Sequence, residues 1–311
     1  MFKEFPVSVR KLGRLEARAR SGHKGTFGTV CVVGGCCRVD VRYLGAPALA
    51  ALGALRSGCG LCRVLAPEPL INQVLGIATS ATGVALTVGR DGGISGPSAV
   101  KALKAAAAVS DVLVVGPGLG SGPGVDALVK HVWEQREVPF VLDADGLNAL
   151  STLGMPLPPA HGKRAPAVVT PHPGEAKRLM KAFRVEGDPT DERARGRIAI
   201  ELSHRMSCVV VLKGARTVVS DGVHVYRNAS GGPWLATGGT GDVLSGVIGG
   251  LIAQHAAGDG NLSDVFRLAC LGVLVHGRAG DAWAREKKAT GGMIAAELAE
   301  RVAREVERVR K

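Results

Sequence analysis

Aromatic residues are scarce in this sequence, and no apolar run is long enough for a membrane helix. Phe, Trp and Tyr make up 4% of the 311 residues, and no apolar stretch approaches the ~18 residues that a membrane-spanning helix requires. The chain also opens without a secretory signal pattern. We therefore expect a cytoplasmic protein with no membrane partner.

Basic residues outnumber acidic ones, but their arrangement does not favour nucleic acid. The 39 basic and 27 acidic residues give a formal net charge of +12, and the excess is concentrated in residues 11–24 and 301–311. No aromatic side chains interleave with these charges, so nucleic-acid bases would find no stacking partners. We expect no nucleic-acid partner, although a basic surface is suited to attract an anionic nucleotide.

The seven cysteines do not have the even number and regular spacing of a disulfide framework. Cys59 and Cys62 have the spacing of a redox or metal-binding pair, but no second pair of this kind occurs. Because the pair lies where a predicted helix runs into an apolar strand, two small buried hydrophobic residues are the favoured interpretation.

Glycine is abundant, with 44 residues against an average usage of ~7%. Short apolar runs flanked by glycine alternate with helical patterns. Strands are predicted at residues 30–33, 62–65, 112–115, 140–142, 167–169 and 209–212, followed by a hairpin at 218–219 and 223–226. Helices are predicted at residues 46–56, 97–108, 124–134, 173–181 and 191–205, then after Asp242 and at 262–283 and 292–309. This alternation predicts an α/β fold, with an open, mainly parallel sheet and helices on both faces.

We expect one domain over residues 23–311, preceded by a basic N-terminal extension over residues 1–22. No linker rich in proline, serine or charge divides the chain. The proline-rich segment 153–167 is predicted to be a surface connection. In the helix after Asp242, the glycines at 246, 249 and 250 make one side thin, so this helix can approach the sheet closely.

Glycines and polar residues follow four of the predicted strands, at residues 34–35, 116–120, 143–145 and 170–175. Each alone is explained by a tight turn or a helix cap. Their coincidence at the carboxyl ends of strands favours a ligand crevice. The glycines of 116–120 lack the G-x-G-x-x-G spacing of a dinucleotide fingerprint, and no G-x-x-x-x-G-K-[ST] loop occurs. Phosphate must therefore be held in another way.

Residues 238–242, Gly-Gly-Thr-Gly-Asp, offer that way, because they lead into a helix. The first amides of a helix have no partners within it, and the helix dipole favours negative charge there, so they can stabilise a phosphoryl group. An ordinary N-cap, with Thr240 or Asp242 satisfying these amides, is the alternative. Asp242 beside a phosphoryl group has a chemical purpose if it accepts a proton from an attacking hydroxyl.

The residues 237–242 resemble the anion-hole and base motif of the ribokinase-like superfamily. A further set of segments resembles one branch of it, the ADP/ATP-dependent NAD(P)H-hydrate dehydratases. The matching segments are "HKGTFGTVCVVGG" (23–35), "YLGAPALAALGALRSGCG" (43–60), "VVGPGLG" (114–120), "LDADGLNAL" (142–150), "VVTPHPGEAKRL" (168–179), "VLKGARTVVSDG" (211–222) and "ATGGTGDVLSGVIGGLIAQ" (236–254). They cover most of the chain in the family's order.

This resemblance implies a ribokinase-like fold and a metabolite repair reaction. ADP or ATP, with Mg²⁺, would phosphorylate the hydroxyl of the S-epimer of hydrated NADH or NADPH (NADHX or NADPHX). Elimination of phosphate would then restore NADH or NADPH. The family also implies a homo-oligomer, with a tetramer favoured, and a separate epimerase as functional partner, since no epimerase domain precedes residue 23.

The resemblance also assigns roles to individual residues. Asp242 would be the base, with Gly239, Thr240 and Gly241 stabilising the transferring group. The nucleotide would contact Lys213, Gly214, Ala215, Arg216, Thr217 and Gly241. The hydrate would contact Ala46, Gly118, Gly120, His172 and Asp242. No metal ligand is assigned, and Asp143, Asp145 and Glu175 are outer-sphere candidates that are equally explained as N-caps.

Some of these residues, and the function itself, have alternative explanations. His172 is otherwise explained as a helix cap between two prolines, and Lys213 as a strand-end lysine reaching solvent. Cys36, Cys37 and Arg38 occupy the turn where a serine or similar small polar residue is usual in the family. Pro47 replaces a small residue just inside a helix, where proline is acceptable. A small-molecule kinase of the same superfamily, acting on hydroxymethylpyrimidine or a thiazole alcohol, and a non-catalytic nucleotide-binding module are the alternative functions.

Overall fold

The computed structural model describes residues 5–154, 164–255 and 262–310. Within them the strands are β1 (Phe5–Val7), β2 (Thr29–Val33), β3 (Cys36–Cys37), β4 (Arg42–Tyr43), β5 (Leu61–Pro67), β6 (Thr82–Leu86), β7 (Val112–Val115), β8 (Phe140–Leu142), β9 (Ala167–Val169), β10 (Val209–Leu212), β11 (Val218–Ser220) and β12 (His224–Arg227). The helices are α1 (Gly45–Ser57), α2 (Ile71–Ile77), α3 (Gly96–Ala107), α4 (Pro123–Gln135), α5 (Asp145–Leu153), α6 (Pro173–Phe183), α7 (Arg195–Met206), α8 (Thr240–His255), α9 (Leu262–Lys287) and α10 (Ala295–Arg310).

Ten of these strands form one sheet in the order β1-β12-β11-β10-β9-β8-β7-β2-β5-β6. The adjacent strands β10, β9, β8, β7, β2, β5 and β6 pair in parallel with their neighbours. By contrast, β11 pairs antiparallel with both β10 and β12. The chain extends the sheet from β2 to β5 and β6, then returns to the other side of β2 with β7. The loops after β2 and β7 therefore lie side by side where the strand order reverses, which is where open α/β sheets bind ligands.

The hydrophobic core lies on both faces of this sheet, as the sequence predicted. Because successive side chains of a strand point to opposite faces, Val30 and Val32 join the cluster with α1, α8, α9 and α10. Cys31 and Val33 join the cluster with α3 to α7. The run of β-branched residues in the central strands is thus explained by burial on both sides.

The thin side predicted for the helix after Asp242 is confirmed. A Cβ at Gly246 would overlap the carbonyl oxygen of Ala50 in α1, and one at Gly249 would lie 2.5 Å from Cγ2 of Val114 in β7. Glycine therefore lets α8 pack against both α1 and the sheet. In the part of the chain that the structure describes, no helix combines the length and apolar character needed to cross a membrane.

Some predicted bounds differ from the structure. α7 begins at Arg195 and not at residue 191, because Ala194 and Arg195 donate amide hydrogen bonds to the carbonyl of Asp191 in a preceding turn. Residues of the predicted extension pack on the domain: β1 pairs with β12, and Leu12 and Leu15 are buried. Most of the predicted connection 153–167 lies outside the described residues.

Candidate active site

The loops that follow β2 and β7 meet at the point where the strand order reverses. The amide of Gly35 donates a 3.0 Å hydrogen bond to the carbonyl of Pro117, and a Cβ at Gly34 would overlap the same carbonyl. Any larger residue at position 34 would separate the loops. Glycine is thus required here for close approach of two backbones.

The predicted substrate contacts Ala46, Gly118 and Gly120 lie together beside this point. Gly118 has φ +62°, and a Cβ on it would lie 3.1 Å from Cβ of Ala46. Gly120 has φ +69°, and a Cβ there would lie 2.8 Å from Sγ of Cys36. These backbone positions leave no room for side chains, so a ligand here would meet peptide groups. We refer to Gly34, Gly35, Gly118 and Gly120 as the glycine half of the site.

Buried charges gather after β8, β9 and β10. Nζ of Lys213 lies 2.6 Å from Oδ1 of Asp143 and 3.8 Å from Oε2 of Glu175. Burial opposes the charge on Lys213, but Asp143 and Glu175 outweigh it and raise the pKa of the ammonium above its usual value. Burial raises the pKa of Glu175 to about 7. We refer to Asp143, Glu175, Lys213 and Asp242 as the charged half.

Asp242 lies in the first turn of α8, and the glycine loop before it folds close to Lys213 and to α1. A Cβ at Gly241 would lie 3.3 Å from Nζ of Lys213, and one at Gly239 would lie 2.5 Å from Cδ1 of Leu49 in α1. Burial, together with the charges of Asp143 and Asp145, raises the pKa of Asp242 to about 7 against the opposing charge of Lys213. A carboxylate with such a pKa is suited to general-base catalysis near neutral pH.

Thr240 is held by hydrogen bonds within its own turn. Its hydroxyl oxygen lies 2.9 Å from the carbonyl oxygens of both Leu235 and Thr237, which share its one proton. Its carbonyl accepts a 2.8 Å hydrogen bond from Nε2 of His276 in α9. Burial lowers the pKa of His276 to about 4, so this ring is neutral. The side chain of Thr240 shapes the loop, and His276 is a positioning residue that the sequence did not reveal.

His172 has the capping role that the sequence left as the alternative explanation. Its Nδ1 accepts a hydrogen bond from the amide of Gly174 at 3.0 Å, and its own amide donates to Oε2 of Glu175 at 2.8 Å. Nε2, which carries the proton of the neutral ring, lies 3.2 Å from Oε1 of Glu175. Burial, then Lys213 and Arg178, lower the pKa of His172. Half of the side chain is still exposed (51%), so it can also contact a ligand.

A buried arginine holds the backbone of the predicted nucleotide segment 213–217. Arg195 in α7 donates hydrogen bonds from Nη2 to the carbonyls of Leu212 (2.6 Å) and Lys213 (3.1 Å), and from Nη1 to that of Ala215. The hydroxyl of Thr217 donates to the carbonyl of Gly214 at 3.0 Å. Arg216 has φ +55°. Arg195 leaves no signal in the sequence, because an arginine in an Arg-rich amphipathic helix usually faces solvent.

The acidic candidates for metal contact already have partners. Asp143 pairs with Lys213, Oδ2 of Asp145 accepts from the amide of Gly120 at 2.8 Å, and Glu175 is held by His172. Over residues 5–154, 164–255 and 262–310, no three His, Cys, Asp or Glu side chains converge as a metal cage. This donor set fits Mg²⁺ that is carried on nucleotide phosphates and keeps most of its waters.

All seven cysteines are free and buried, which for Cys59 and Cys62 agrees with the interpretation as small buried hydrophobic residues. Burial raises the pKa of Cys59 to about 12, and that of Cys62 well above its usual value. These thiols behave as small hydrophobic residues. Pro47 lies in the first turn of α1, where proline is tolerated.

Comparison with known proteins agrees with this geometry. The profile of the NAD(P)H-hydrate dehydratase family matches residues 30–304. The ADP-dependent (S)-NAD(P)H-hydrate dehydratase of Neisseria meningitidis is 37% identical over 289 residues, 91% of this chain and 86% of the relative. The chain spans about half the length of the bifunctional NAD(P)H-hydrate repair enzymes that it also matches.

Two solved structures show the same fold. The ADP/ATP-dependent NAD(P)H-hydrate dehydratase from Bacillus subtilis, co-crystallised with ATP and Mg²⁺, is 28% identical, with a TM-score of 0.73 over 96% of each chain. A ribokinase-like superfamily protein from Enterococcus faecalis is 23% identical, with a TM-score of 0.76 over 98% of this chain and 95% of that one. The ribokinase-like fold predicted from the sequence is confirmed.

Proposed function

Because this chain belongs to the NAD(P)H-hydrate dehydratase family, we propose that it converts the S-epimer of NADHX or NADPHX to NADH or NADPH, at the expense of ADP or ATP. The observation that carries this proposal is a half-buried carboxylate, Asp242, at the start of α8 with its pKa raised to about 7. Its charge interacts with that of Lys213, which begins the nucleotide segment, and with that of Asp145, whose Oδ2 accepts from the amide of Gly120 in the glycine half.

The proposed reaction begins with phosphoryl transfer. The hydrate hydroxyl loses its proton to Asp242 while its oxygen forms a bond to the terminal phosphorus of ADP. The bond from that phosphorus to the bridging oxygen breaks, and AMP leaves (ADP leaves when ATP is the donor). The amides of Gly239, Thr240 and Gly241 stabilise the charge on the phosphoryl oxygens, as helix N-terminal amides can.

Elimination then completes the repair. Hydroxide is a poor leaving group, whereas phosphate leaves readily, so the ring carbon–oxygen bond breaks and phosphate departs with the former hydroxyl oxygen. A proton leaves the neighbouring ring carbon, and the double bond of the dihydropyridine is restored. Each turnover therefore consumes one phosphoanhydride bond and releases one phosphate.

The other residues bind and orient. Lys213, fixed by Asp143 and Glu175, would attract the phosphates, and the segment 213–217 would hold the nucleotide. Ala46, Gly118, Gly120 and His172 would contact the hydrate. Mg²⁺ bound to the nucleotide phosphates would neutralise part of their charge, with Asp143 and Glu175 contacting its waters.

The test uses purified protein, chemically prepared hydrate, Mg²⁺ and either ADP or ATP. We expect the absorbance of reduced nicotinamide to return, with one phosphate released for each molecule repaired. Phosphate transfer to hydroxymethylpyrimidine or a thiazole alcohol without loss of hydrate would instead support a kinase. Nucleotide binding with no change in either substrate would support a non-catalytic module.

A homotetramer and a separate epimerase are also proposed, from the family resemblance alone. Light scattering of the purified chain measures the first. The second predicts that half of a racemic hydrate is repaired quickly, and that added epimerase speeds repair of the remainder.

A further inference from the structure

A cavity of about 680 Å³ lies beside the glycine half and is not used by the chemistry proposed above. Ser121 and Gly122, which continue the loop that contains Gly118 and Gly120, form part of its wall. The starts of α3 and α4 form another part, and Arg38 stands at its edge. This volume falls within the range of roughly 300–1,000 Å³ that small-molecule sites occupy.

The loop 118–122 connects the cavity to the predicted substrate contacts. The segment from Cys36 to Arg38 runs alongside it: a Cβ on Gly120 would lie 2.8 Å from Sγ of Cys36, and one on Gly122 would lie 3.6 Å from Nη1 of Arg38. Gly118, at the near end, lies against Ala46. A ligand that follows this loop away from Ala46 therefore reaches the guanidinium of Arg38.

Arg38 is available to an anion. Its nearest acidic partners are Asp91 at 3.5 Å and Asp40 at 3.9 Å, and both carboxylates are well exposed (64% and 77%). Exposed ion pairs at such distances contribute little, whereas a guanidinium binds phosphate through two parallel charge-assisted hydrogen bonds. Asp91 also lines the cavity and opposes an anion, but the amide of Gly93 partly satisfies its Oδ1 at 3.0 Å.

We propose that this cavity binds the adenosine phosphate half of the dinucleotide hydrate, and that Arg38 contacts its phosphate groups. The inference rests on the proposed function, because it assigns the second half of the same substrate. With the nicotinamide ring at Ala46 and Gly118, the rest of a dinucleotide must leave the glycine half, and the loop 118–122 leads to a cavity of suitable size and charge. ADP, held at residues 213–217, makes no use of it.

The test compares substrates with and without that half. Arg38→Gln should raise the KM for the hydrate of NADH roughly tenfold, as expected for loss of a charge-assisted hydrogen bond, with little change in kcat. The KM for the hydrate of reduced nicotinamide mononucleotide, which lacks the adenosine phosphate half, should stay the same. The KM for ADP should also stay the same. Arg90→Gln, an exposed arginine in the same region that does not line the cavity, is the matched control and should change none of these constants.

The phosphate that Arg38 contacts is distinguished by a third substrate. An equal rise in KM for NADHX and NADPHX assigns Arg38 to the 5′-phosphate on the adenosine side of the pyrophosphate, and a larger rise for NADPHX assigns it to the 2′-phosphate. An equal effect on the mononucleotide hydrate, or no effect on any substrate, would overturn the proposal.

Binding of the products separates this inference from the proposed function. Fluorescence titration should show that Arg38→Gln weakens binding of NADH and leaves binding of reduced nicotinamide mononucleotide unchanged. This measurement needs no turnover. If wild-type protein repairs no hydrate, the proposed function fails, while the binding comparison still supports or overturns the assignment of the cavity.

Discussion

The two halves of the candidate site differ in composition: one consists of ionisable side chains and the other of glycines. The charged half brings three carboxylates and an ammonium group together, with the side chain of Asp143 only 1% exposed. The glycine half consists only of glycines, so it presents peptide groups and no ionisable side chain. Helix α1 contacts the glycine half and the loop that leads to Asp242, because Ala46 lies against Gly118 and Leu49, one turn later, lies against Gly239.

This difference matches two different tasks. Phosphoryl transfer needs fixed charges and a base whose pKa is adjusted by its surroundings, and burial provides both at the ends of β8, β9 and β10. A nucleotide-sized substrate needs close approach to peptide groups, and glycine provides that after β2 and β7. Changes in the charged half should therefore affect chemistry and nucleotide binding, and changes in the glycine half should affect the hydrate alone.

The largest expected effect comes from Asp242→Asn. Loss of the base should lower kcat by ~10²–10⁴-fold, while stabilisation of the protein by ADP in a thermal melt should persist. Asp126→Asn, also in the first turn of a helix but in α4, is the matched control and should retain activity. Near wild-type turnover by the Asp242→Asn variant would remove Asp242 from the mechanism.

The same variant has a predicted effect on stability. Because the folded pKa of Asp242 is about 7 and the unfolded value is near 4, the wild type gains stability from the protonated form at low pH and loses it as pH rises through 7. Asparagine does not ionise, so the variant should unfold at a higher denaturant concentration than the wild type at pH 8, and the difference should shrink at pH 5. A less stable variant at pH 8 would contradict the assigned burial.

Lys213→Met should weaken nucleotide binding and destabilise the fold. It leaves Asp143 buried and unpaired, which costs about 3 kcal/mol. Combining it with Asp143→Asn should recover most of the free energy of unfolding without restoring activity, since the unpaired charge is gone but the phosphate contact is not rebuilt. Urea unfolding of the single and double variants measures this coupling, and simple addition of the two losses would show that the pair is not coupled.

The pH dependence of kcat/KM should show the raised pKa of the base. Asp242 must be ionised to accept a proton, so we expect the rate to rise with pH through an apparent pKa near 7, with roughly a tenfold gain for each pH unit below it. Glu175 also has a pKa of about 7 and titrates together with Asp242. Its negative charge raises the pKa of Asp242, so Glu175→Gln should move the profile to lower pH. A profile that is flat between pH 6 and 8 would exclude Asp242 as the titrating base.

The smallest effect is expected in the glycine half. Gly118→Ala introduces a Cβ that would lie 2.8 Å from Cβ of Tyr43 and 3.1 Å from that of Ala46, so the KM for the hydrate should rise a few-fold while that for ADP stays the same. Gly13→Ala is the control, because Gly13 also has a positive φ (+68°) but an added Cβ there would meet nothing within 4 Å. An equal rise in the KM for ADP would show that the two halves do not work separately.

The central sheet was predictable because burial on both faces leaves a clear signal. Strands such as β7 and β10 are continuous apolar runs, and their predicted bounds match the structure. β6 was missed, since it is an edge strand whose residues are largely exposed and include glycine. β1 and the two-residue strands β3 and β4 were missed because so few residues show no periodicity.

Within the site, the sequence identified residues in recognisable motifs and missed those that support them from other elements. Lys213 and Asp242 stand in such motifs. Arg195 and His276 are ordinary residues of amphipathic helices, and only the three-dimensional arrangement places them against the carbonyls of residues 213 and 240. The ion pair between Lys213 and Asp143 joins residues 70 positions apart, a distance over which a single sequence carries no pairing information.

The central claim, that the hydrate hydroxyl is phosphorylated before it leaves, is tested most directly with an oxygen label. Hydrate that carries ¹⁸O in its hydroxyl group is incubated with the protein, Mg²⁺ and unlabelled ADP, and the released phosphate is analysed by mass spectrometry. We expect one ¹⁸O atom in each phosphate, because the hydroxyl oxygen departs bonded to phosphorus. Unlabelled phosphate, with the ¹⁸O recovered in water, would contradict this claim.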